Sequence, residues 1–287
     1  MDRYSGDTQF VGDFHIHSTF SDGKLTIPEL VDLYGSRGFG AIAITDHVCE
    51  KETVIGNAAR VLGRTLTEAN FGLYREILKS EAKRALAQYK MILIPGLELS
   101  KNQITNSRSA HILGLGISDL IQADLSVETI CTEIRKQKGL SVAAHPVSTR
   151  KVEKQTFYLW DRRETLRNSI DLWEVASGVH LFDEVLDSGL PIIASSDLHK
   201  KEQLKSWKTI IYGEKSVHGV LEALRQQHIE FNFYQESSNG IYPLYFSDDL
   251  ARGYRPDHLR NTFGSKKTPC GSPESRLPVQ PVSGIDS

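Results

Sequence analysis

The 287-residue sequence has little cysteine, no long apolar run and almost no charge imbalance. Its three cysteines, Cys49, Cys131 and Cys270, are far apart and odd in number, and no Cys-x-x-Cys pair occurs. A disulfide framework and a structural zinc ribbon are therefore not expected. The net charge of -2 argues against a surface that coats long nucleic acid or a membrane. No segment approaches the roughly 18 apolar residues that span a bilayer, and the N-terminus has no apolar signal-peptide core. These absences predict a cytoplasmic protein.

Short apolar strands alternate with helices through most of the chain. Wholly apolar runs such as Ala41–Ile44 are typical of strands buried on both faces of a parallel sheet. Thr26, Pro28 and Glu29 form the start signal of the first helix, with Thr26 as the N-cap. About seven β–α repeats predict an α/β fold in which a parallel sheet curls into a barrel.

Histidines and carboxylates recur at the predicted strand ends. His15 and His17 are two residues apart, so a strand over Val11–Ile16 would aim both rings at one spot. For this pair alone the alternative is two ordinary histidines near a turn. In a barrel of parallel strands such ends converge on one face, and imidazole with carboxylate suits zinc, manganese or iron. The candidate ligands exceed what one ion needs and imply two or three ions. They are His15, His17, Asp22, His47, Glu98, His111, His145, Asp197 and His199.

The motifs resemble those of the PHP (polymerase and histidinol phosphatase) family of metal-dependent phosphoesterases. This resemblance extends from about Val11 to about Phe233 and implies a distorted (β/α)7 barrel with a trinuclear site. The matching segments, in chain order, are His15-Ile16-His17, Ser21-Asp22-Gly23, Thr45-Asp46-His47, Gly96-Leu97-Glu98, Ala144-His145-Pro146 and Ser196-Asp197-Leu198-His199.

The resemblance also implies which residues share an ion. A hydroxide that bridges two ions, held by Glu98 with Asp197 and His199 nearby, would attack phosphorus. No ligand of the family is missing, which favours an enzyme over a non-catalytic metal-binding module. The implied groups are His15, His17, Glu98 and Asp197 for one ion, Glu98 (bridging), His111 and His145 for a second, and Asp22, His47 and His199 for a third.

The implied activity is hydrolysis of a phosphate monoester of a small metabolite or nucleotide. Two alternatives stay open, namely a phosphodiesterase or exonuclease acting on short oligonucleotides and an amidohydrolase-type metal hydrolase. Long nucleic acid and membranes are not expected as partners, and the sequence does not predict the oligomeric state. Four basic residues that follow ligand segments are either substrate contacts or solvated surface charges. They are Lys101, Arg108, Arg150 and Lys200.

Three other residues near the motifs have two interpretations each. Asp46 either orients a neighbouring imidazole or caps the following loop. Cys49 is interpreted as a buried thiol rather than a ligand. Glu174 ends a strand and could reach the site, but the family pattern gives it no ligand role.

Two segments depart from the β–α alternation. Residues 48–90 predict charged helices, including Ala69–Gln88, and form either an insertion near the mouth of the site or an outer-layer helix. After about Phe246 the composition changes, and Gly264–Ser287 is rich in Ser, Pro, Gly and Lys, which predicts a disordered tail. We therefore expect one domain over residues 1–246 and a C-terminal extension over residues 247–287.

Overall fold

The computed structural model describes residues 8–102, 109–147 and 157–236. In these ranges, helices pack on one mixed sheet. The strands are β1 (Thr8–Asp13), β2 (Ala41–Ile44), β3 (His47–Cys49), β4 (Ile92–Lys101), β5 (Ala110–Leu115), β6 (Leu140–Ala143), β7 (Leu172–Ser177), β8 (His180–Leu181), β9 (Ile192–Ser195), β10 (Trp207–Gly213) and β11 (Ile229–Phe233). The helices are α1 (Ile27–Gly35), α2 (Val54–Val61), α3 (Glu68–Tyr89), α4 (Val127–Lys136), α5 (Phe157–Asp161), α6 (Arg163–Leu166), α7 (Asp183–Leu186) and α8 (Val217–Arg225).

The sheet is curled, so that segments far apart in sequence meet at one edge. Its strand order is β11-β10-β1-β2-β4-β5-β6-β7-β8, with β3 paired to β4 and β9 paired to β7. Ile16, after β1, forms an isolated parallel bridge with Leu198, after β9. Strands β9 and β10 are joined through Thr209 in β10. Its hydroxyl accepts a hydrogen bond from the N–H of Ala194 in β9 and donates one to the Ala194 carbonyl oxygen. The α/β class and the curled sheet predicted from the sequence are confirmed.

The prediction of a parallel sheet holds for only part of it. β5 runs antiparallel to β4 and β6, and β10 runs antiparallel to β1 and β11. Only residues 102–109 separate β4 from β5, and so short a connection joins neighbouring strands in antiparallel directions. Because of this direction, β5 begins at the edge where the parallel strands end. His111 therefore pairs with Ser100, near the end of β4.

Some predicted element bounds also need correction. The first strand ends at Asp13 rather than Ile16. The sequence of His180–Asp187 predicts a short helix, but the segment instead forms strand β8 followed by the short α7. A glycine after a helix, such as Gly139 after α4, is the residue expected to adopt the left-handed conformation. Lys138 adopts it instead, with φ of +63°. Gly139 is needed for packing, because a Cβ there would lie 2.6 Å from the Leu115 carbonyl oxygen.

The first helix starts as the sequence predicts. The Glu29 N–H donates to Thr26 Oγ1 at 3.4 Å, and the Thr26 N–H donates to Glu29 Oε2 at 2.8 Å. This reciprocal pair satisfies two N–H groups that the helix itself cannot bond. The capping box is thus confirmed, and it fixes where the loop that carries Asp22 ends.

Residues 48–90 contain both an outer-layer helix and a helix near the site, which are the two alternatives that the sequence left open. α3 is an outer-layer helix whose Tyr74 hydroxyl donates to the carbonyl oxygens of Ile44 and Gly96, at 3.2 and 3.0 Å. α2, in contrast, buries only Gly56 and lies beside the candidate site described below. Among the described helices none is both long and apolar enough to cross a bilayer. The predicted tail and the boundary at residue 246 lie outside the described residues.

A buried ion pair joins β1 to β10 next to the histidine motif. Lys208 Nζ lies 3.1 Å from Asp13 Oδ2, and neither side chain is more than 1% exposed. Asp13 also accepts hydrogen bonds from the Tyr34 hydroxyl at 2.7 Å and from the Ser196 N–H at 3.0 Å. Because Ser196 precedes Asp197, this carboxylate anchors the backbone that presents a predicted ligand.

Replacing Lys208 with methionine should lower the free energy of unfolding by about 3 kcal/mol or more, because the Asp13 charge would stay buried without its counter-ion. Urea unfolding followed by circular dichroism measures this change. Adding Asp13→Asn should recover part of the loss, since the uncompensated charge is then removed. The control Lys79→Met, at an exposed position of α3, should cost less than about 0.5 kcal/mol. Wild-type stability in Lys208→Met would contradict the role of the pair.

Candidate metal centre

The structure brings all nine predicted ligands to one edge of the sheet. The antiparallel direction of β5 explains how His111, at the start of its strand, reaches residues at the ends of parallel strands. The ligands are His15 and His17 after β1, Asp22 in the following loop, His47 in β3, Glu98 in β4, His111 in β5, His145 after β6, and Asp197 and His199 after β9.

The first group of facing atoms surrounds the Nε2 atoms of His15 and His17. Glu98 Oε2 lies 3.3 Å from the His15 nitrogen and 3.2 Å from the His17 nitrogen. Asp197 Oδ1 lies 3.3 Å from both nitrogens. The rings of His15 and His17 and the Glu98 carboxylate are inaccessible to solvent. The His-x-His pair therefore aims at one spot, as the spacing predicts, although it follows the strand rather than lying in it.

The second group surrounds the other oxygen of Glu98. Glu98 Oε1 lies 2.8 Å from His111 Nδ1 and 3.6 Å from His145 Nε2. The two carboxylate oxygens thus face different imidazoles, an arrangement that suits a carboxylate shared by two cations.

The third group surrounds Asp22. Its Oδ1 atom lies 3.1 Å from His199 Nε2, 3.5 Å from His47 Nε2 and 3.9 Å from His17 Nδ1. This group differs from the family assignment in two ways, because it includes His17 and because His47 Nδ1 also lies 3.0 Å from Glu98 Oε2. His17 and His47 therefore lie between two groups.

Hydrogen bonds on the outer ring nitrogens orient several histidines. A neutral imidazole carries one N–H, so an outer nitrogen that donates leaves the inner nitrogen as a bare lone pair. In the three histidines listed next, this inner lone pair faces a carboxylate oxygen of one of the three groups already described. The outer donors and their acceptors are His15 Nδ1 with Glu174 Oε1 at 2.9 Å, His111 Nε2 with Asn102 Oδ1 at 3.0 Å, and His199 Nδ1 with the Asp197 carbonyl oxygen at 3.0 Å.

A lone pair that faces an anionic oxygen is repelled unless a proton or a metal ion lies between them. Leaving one buried polar atom without a partner costs about 1–3 kcal/mol. Imidazole and carboxylate together suit zinc, manganese or iron, so the residues fit metal ions. Within the described ranges, the buried site atoms that lack a hydrogen-bond partner are His15 Nε2, His17 Nε2, Asp22 Oδ1, His111 Nδ1 and both carboxylate oxygens of Glu98.

Without metal, the site compensates its buried charges through shifted pKa values. Burial alone would raise the pKa of Glu98, but the neighbouring histidines, led by His47, hold it well below its usual range. Burial would lower the pKa of His199, but its contact with the Asp22 carboxylate and the charge of Asp197 raise it to about 9. At neutral pH, His199 of the metal-free chain therefore carries a proton where a metal ion would bind.

Glu174 supports two of the predicted ligands at once. Its Oε1 atom accepts from His15 Nδ1, and its Oε2 atom accepts from the His145 N–H at 2.6 Å. His145 needs this support, because its φ of +30° lies in the sparsely populated left-handed region. Glu174 is completely buried. A carboxylate that orients ligands in this way is the role that the motifs alone could not assign.

Asp46 orients the loop that follows His17. It accepts from the Ser18 N–H at 2.8 Å and from the Ser18 hydroxyl at 2.6 Å, and it also accepts from the Ser21 hydroxyl. Ser21 Oγ in turn lies 3.4 Å from His17 Nδ1. Asp46 therefore reaches an imidazole only through Ser21, and it contacts the preceding loop rather than capping the following one.

The groups open into a cavity of about 260 Å³. Several of its lining residues were not predicted from the sequence, namely Ile55, Ala59, Arg64 and Asn102. The first three belong to α2 and the turn after it, where no motif marks them. Cys49 also lines the cavity, and burial raises the pKa of its thiol to about 11, which fits a neutral thiol rather than a thiolate ligand.

Two of the four predicted substrate contacts, Lys101 and Lys200, are not brought to this cavity. Lys101 Nζ donates to Glu50 Oε1 at 2.6 Å and to the carbonyl oxygens of Ala123 and Leu125 at 2.7 and 2.9 Å. Lys200 is exposed, and neither lysine lines the cavity. The other two predicted contacts, Arg108 and Arg150, lie outside the described residues.

The profile of the PHP domain family matches residues 13–113, about a third of the chain. The matched residues include the motifs from His15 to Glu98, so the resemblance to this family inferred from the motifs is confirmed. Over 110 residues the chain is 29% identical to the phosphoribosyl 1,2-cyclic phosphate 1,2-diphosphodiesterase of Eggerthella lenta. That match covers 38% of this chain and 32% of the relative, so the chain spans about a third of that relative's length.

Two solved structures have the same fold. A two-domain protein of Bacteroides vulgatus, which contains a predicted PHP-like metal-dependent phosphoesterase, superimposes with a TM-score of 0.58 and 24% identity, over 80% of this chain and 66% of that one. PsfC of Pseudomonas syringae superimposes with a TM-score of 0.52 and 14% identity, over 81% of this chain and 93% of that one. At these identities the likeness shows the fold alone.

Replacing Glu174 with glutamine should weaken metal binding by about 10- to 100-fold. A glutamine has one acceptor oxygen and one donor NH2, so it cannot accept from both His15 Nδ1 and the His145 N–H. Competition with a chromophoric chelator measures the affinity for zinc. The control is Glu164→Gln, whose side chain is 73% exposed and outside the site. Unchanged affinity in Glu174→Gln would show that this carboxylate does not support the ligands.

Metal binding at pH 7 should release protons, because His199 is protonated in the metal-free chain and must lose its proton to become a ligand. The sign follows from the raised pKa. Apparent metal affinity should fall progressively as pH drops below about 9. Calorimetric titration of zinc in buffers of different ionisation enthalpy measures the number of protons released. A binding heat that does not depend on the buffer would contradict this expectation.

Proposed function

We propose that this chain is a metal-dependent phosphoesterase that hydrolyses the phosphate monoester of a small metabolite or nucleotide. The observation that carries the proposal is the cluster of buried lone pairs facing one another around Glu98, in a chain that matches the PHP domain family over residues 13–113. Such a cluster needs cations, and a phosphate ester is a substrate whose anionic oxygens would bind those cations.

The proposal includes two or three divalent ions of zinc, manganese or iron in a distorted (β/α)7 barrel of PHP type. When bound, such ions lower the pKa of water to near neutral and neutralise charge on a phosphoryl group. The chain's own residues hold and orient the site, with Glu98 as the shared carboxylate and Asp197 and His199 beside it. The proposed ligands are those predicted from the motifs, namely His15, His17, Asp22, His47, Glu98, His111, His145, Asp197 and His199.

The size of the cavity supports a small substrate. At about 260 Å³ it is slightly smaller than most pockets that bind small molecules, which measure about 300–1,000 Å³. Arg64 is the only arginine or lysine among the residues that line it within the described ranges. A long nucleic acid would need a row of basic contacts instead. The cytoplasmic location expected from the sequence stays a prediction.

A second candidate is hydrolysis of a phosphodiester. The relative from Eggerthella lenta is named as a diphosphodiesterase of a cyclic phosphate, and it is 29% identical over 110 residues. The same arrangement of ligands would serve either reaction, because both require attack of water at phosphorus. A cyclic phosphate diester therefore belongs in the substrate panel.

The proposal is tested with zinc or manganese added, by measuring inorganic phosphate released from phosphomonoesters and 3′,5′-bisphosphonucleotides, and the hydrolysis of cyclic phosphates. We expect release from one class, loss of activity on chelation, and a fall in kcat/KM of about 1,000-fold or more in Glu98→Ala. The control Glu128→Ala, at an exposed position of α4, should be as active as wild type. For the cyclic phosphates, ring opening is followed chromatographically, because it frees no phosphate.

Two results would contradict the proposal. One is full activity in a folded Glu98→Ala protein, which would displace the active site from this cavity. The other is a metal-loaded chain that hydrolyses none of the three substrate classes.

A further inference from the structure

α2 and the turn after it form part of the wall of the cavity into which the predicted ligands also project. Ile55 and Ala59 are four residues apart, so they lie on the same face of α2, and both line the cavity. Arg64 lines it from just beyond the end of the helix. This wall therefore combines an apolar surface with a single cationic side chain.

The end of α2 fixes the position of the Arg64 backbone. Gly63 has a φ of +66°, which a glycine adopts without steric cost. The Gly63 N–H donates to the Arg60 carbonyl oxygen at 3.0 Å, and the Arg64 N–H donates to the Ala59 carbonyl oxygen at 2.8 Å. These two bonds form a Schellman motif, which turns the chain back over the end of its helix. Arg64 is thereby held next to Ala59, on the wall of the cavity.

The guanidinium group of Arg64 has no role in holding together the part of the chain that the structure describes. It forms no ion pair or hydrogen bond with any residue that the structure describes, and it is exposed. In particular, none of the carboxylates in the site lies within ion-pairing distance of it. A cation placed near a centre that binds metal cations is repelled by them unless an anion lies between. Arginine is the side chain best suited to bind phosphate and carboxylate groups through paired hydrogen bonds.

We propose that Arg64 binds a second anionic group of the substrate, a phosphate or a carboxylate, while the phosphate to be hydrolysed lies at the metal centre. Ile55 and Ala59 contact the carbon skeleton between the two anions. The substrate is then a small phosphate ester with anionic groups at both ends, and Arg64 determines specificity for the distal one. This inference rests on the proposed function, because the group at the metal centre is taken to be a phosphate.

The test uses phosphonates, whose carbon–phosphorus bond a phosphoesterase does not cleave. One series carries a terminal carboxylate (phosphonoacetate, 3-phosphonopropionate and 4-phosphonobutyrate), and the matched series ends in a methyl group (ethyl-, propyl- and butylphosphonate). Calorimetry on the zinc-loaded chain measures Kd for each compound. Three lengths are used so that one can match the distance between the metal centre and Arg64.

In the wild-type chain, at least one carboxylated compound should bind about 10-fold or more tightly than its alkyl partner, as expected for a charge-assisted pair of hydrogen bonds. Arg64→Ala should remove this preference without changing the Kd of the alkylphosphonates. Arg64→Lys should keep part of it. The control Arg75→Ala, on α3 and 52% exposed, should behave as wild type.

Three outcomes would contradict the inference, and they differ in whether the proposed function survives. Equal binding of the two series by the wild-type chain would overturn the role of Arg64 and leave the proposed function standing. An equal loss of affinity for both series in Arg64→Ala would show that Arg64 contacts the metal-bound phosphate instead, which also overturns the inference. A metal-loaded chain that binds neither series would overturn the proposed function, and the inference with it.

Discussion

The structure depends on one electrostatic constraint, which is that a fully buried carboxylate lies among imidazoles whose lone pairs point toward it. Glu98 is inaccessible to solvent, and both of its oxygens lack hydrogen-bond partners among the described residues. The fold therefore gathers groups that cannot be stable together without added positive charge. Protons supply some of that charge in the metal-free chain, as the raised pKa of His199 shows. Metal ions would supply it more completely, because one bound ion attracts several of the facing lone pairs and carboxylate oxygens at once.

The surrounding residues hold this unfavourable arrangement in place. Two of the predicted ligands, His145 and Asp197, have positive φ values of +30° and +51°. Each is secured by a buried carboxylate, because Glu174 accepts from the His145 N–H and Asp13 accepts from the Ser196 N–H before Asp197. Strain of this kind persists only where the structure around it is rigid. The buried Lys208 beside Asp13 is thus part of the support of the site as well as of the fold.

Much of the fold and of the site could be predicted from the sequence, because the pattern of apolar strands and the spacing of polar strand ends carry that information. The capping box of α1 and the strand Ala41–Ile44 are local features, and they were predicted with the observed bounds. Strand direction was not, because an apolar strand such as β5 looks the same whether its neighbours run parallel or antiparallel. His111 still reaches the site, since β5 starts at the edge where β4 ends.

The supporting and substrate-facing residues were harder to predict, because their roles depend on contacts between distant segments. Glu174 acts on His15 across 159 positions of sequence, and no local pattern marks such a pair. Arg64 follows a helix without a motif, and its position depends on the turn at Gly63. Lys101 lies close in sequence to Glu98, yet its ammonium group bonds Glu50 and two backbone carbonyl oxygens instead. Proximity in sequence was therefore a poor guide to the walls of the cavity.

The most direct measurement is anomalous X-ray diffraction from crystals grown with zinc or manganese. The central claim is that cations occupy the space between the facing lone pairs. It predicts anomalous peaks about 2.0–2.2 Å from ring nitrogens such as His15 Nε2 and His17 Nε2, and from the oxygens of Glu98. Crystals of a folded protein with no anomalous peak in this cavity, and with the same histidines bonded directly to the carboxylates, would contradict the claim.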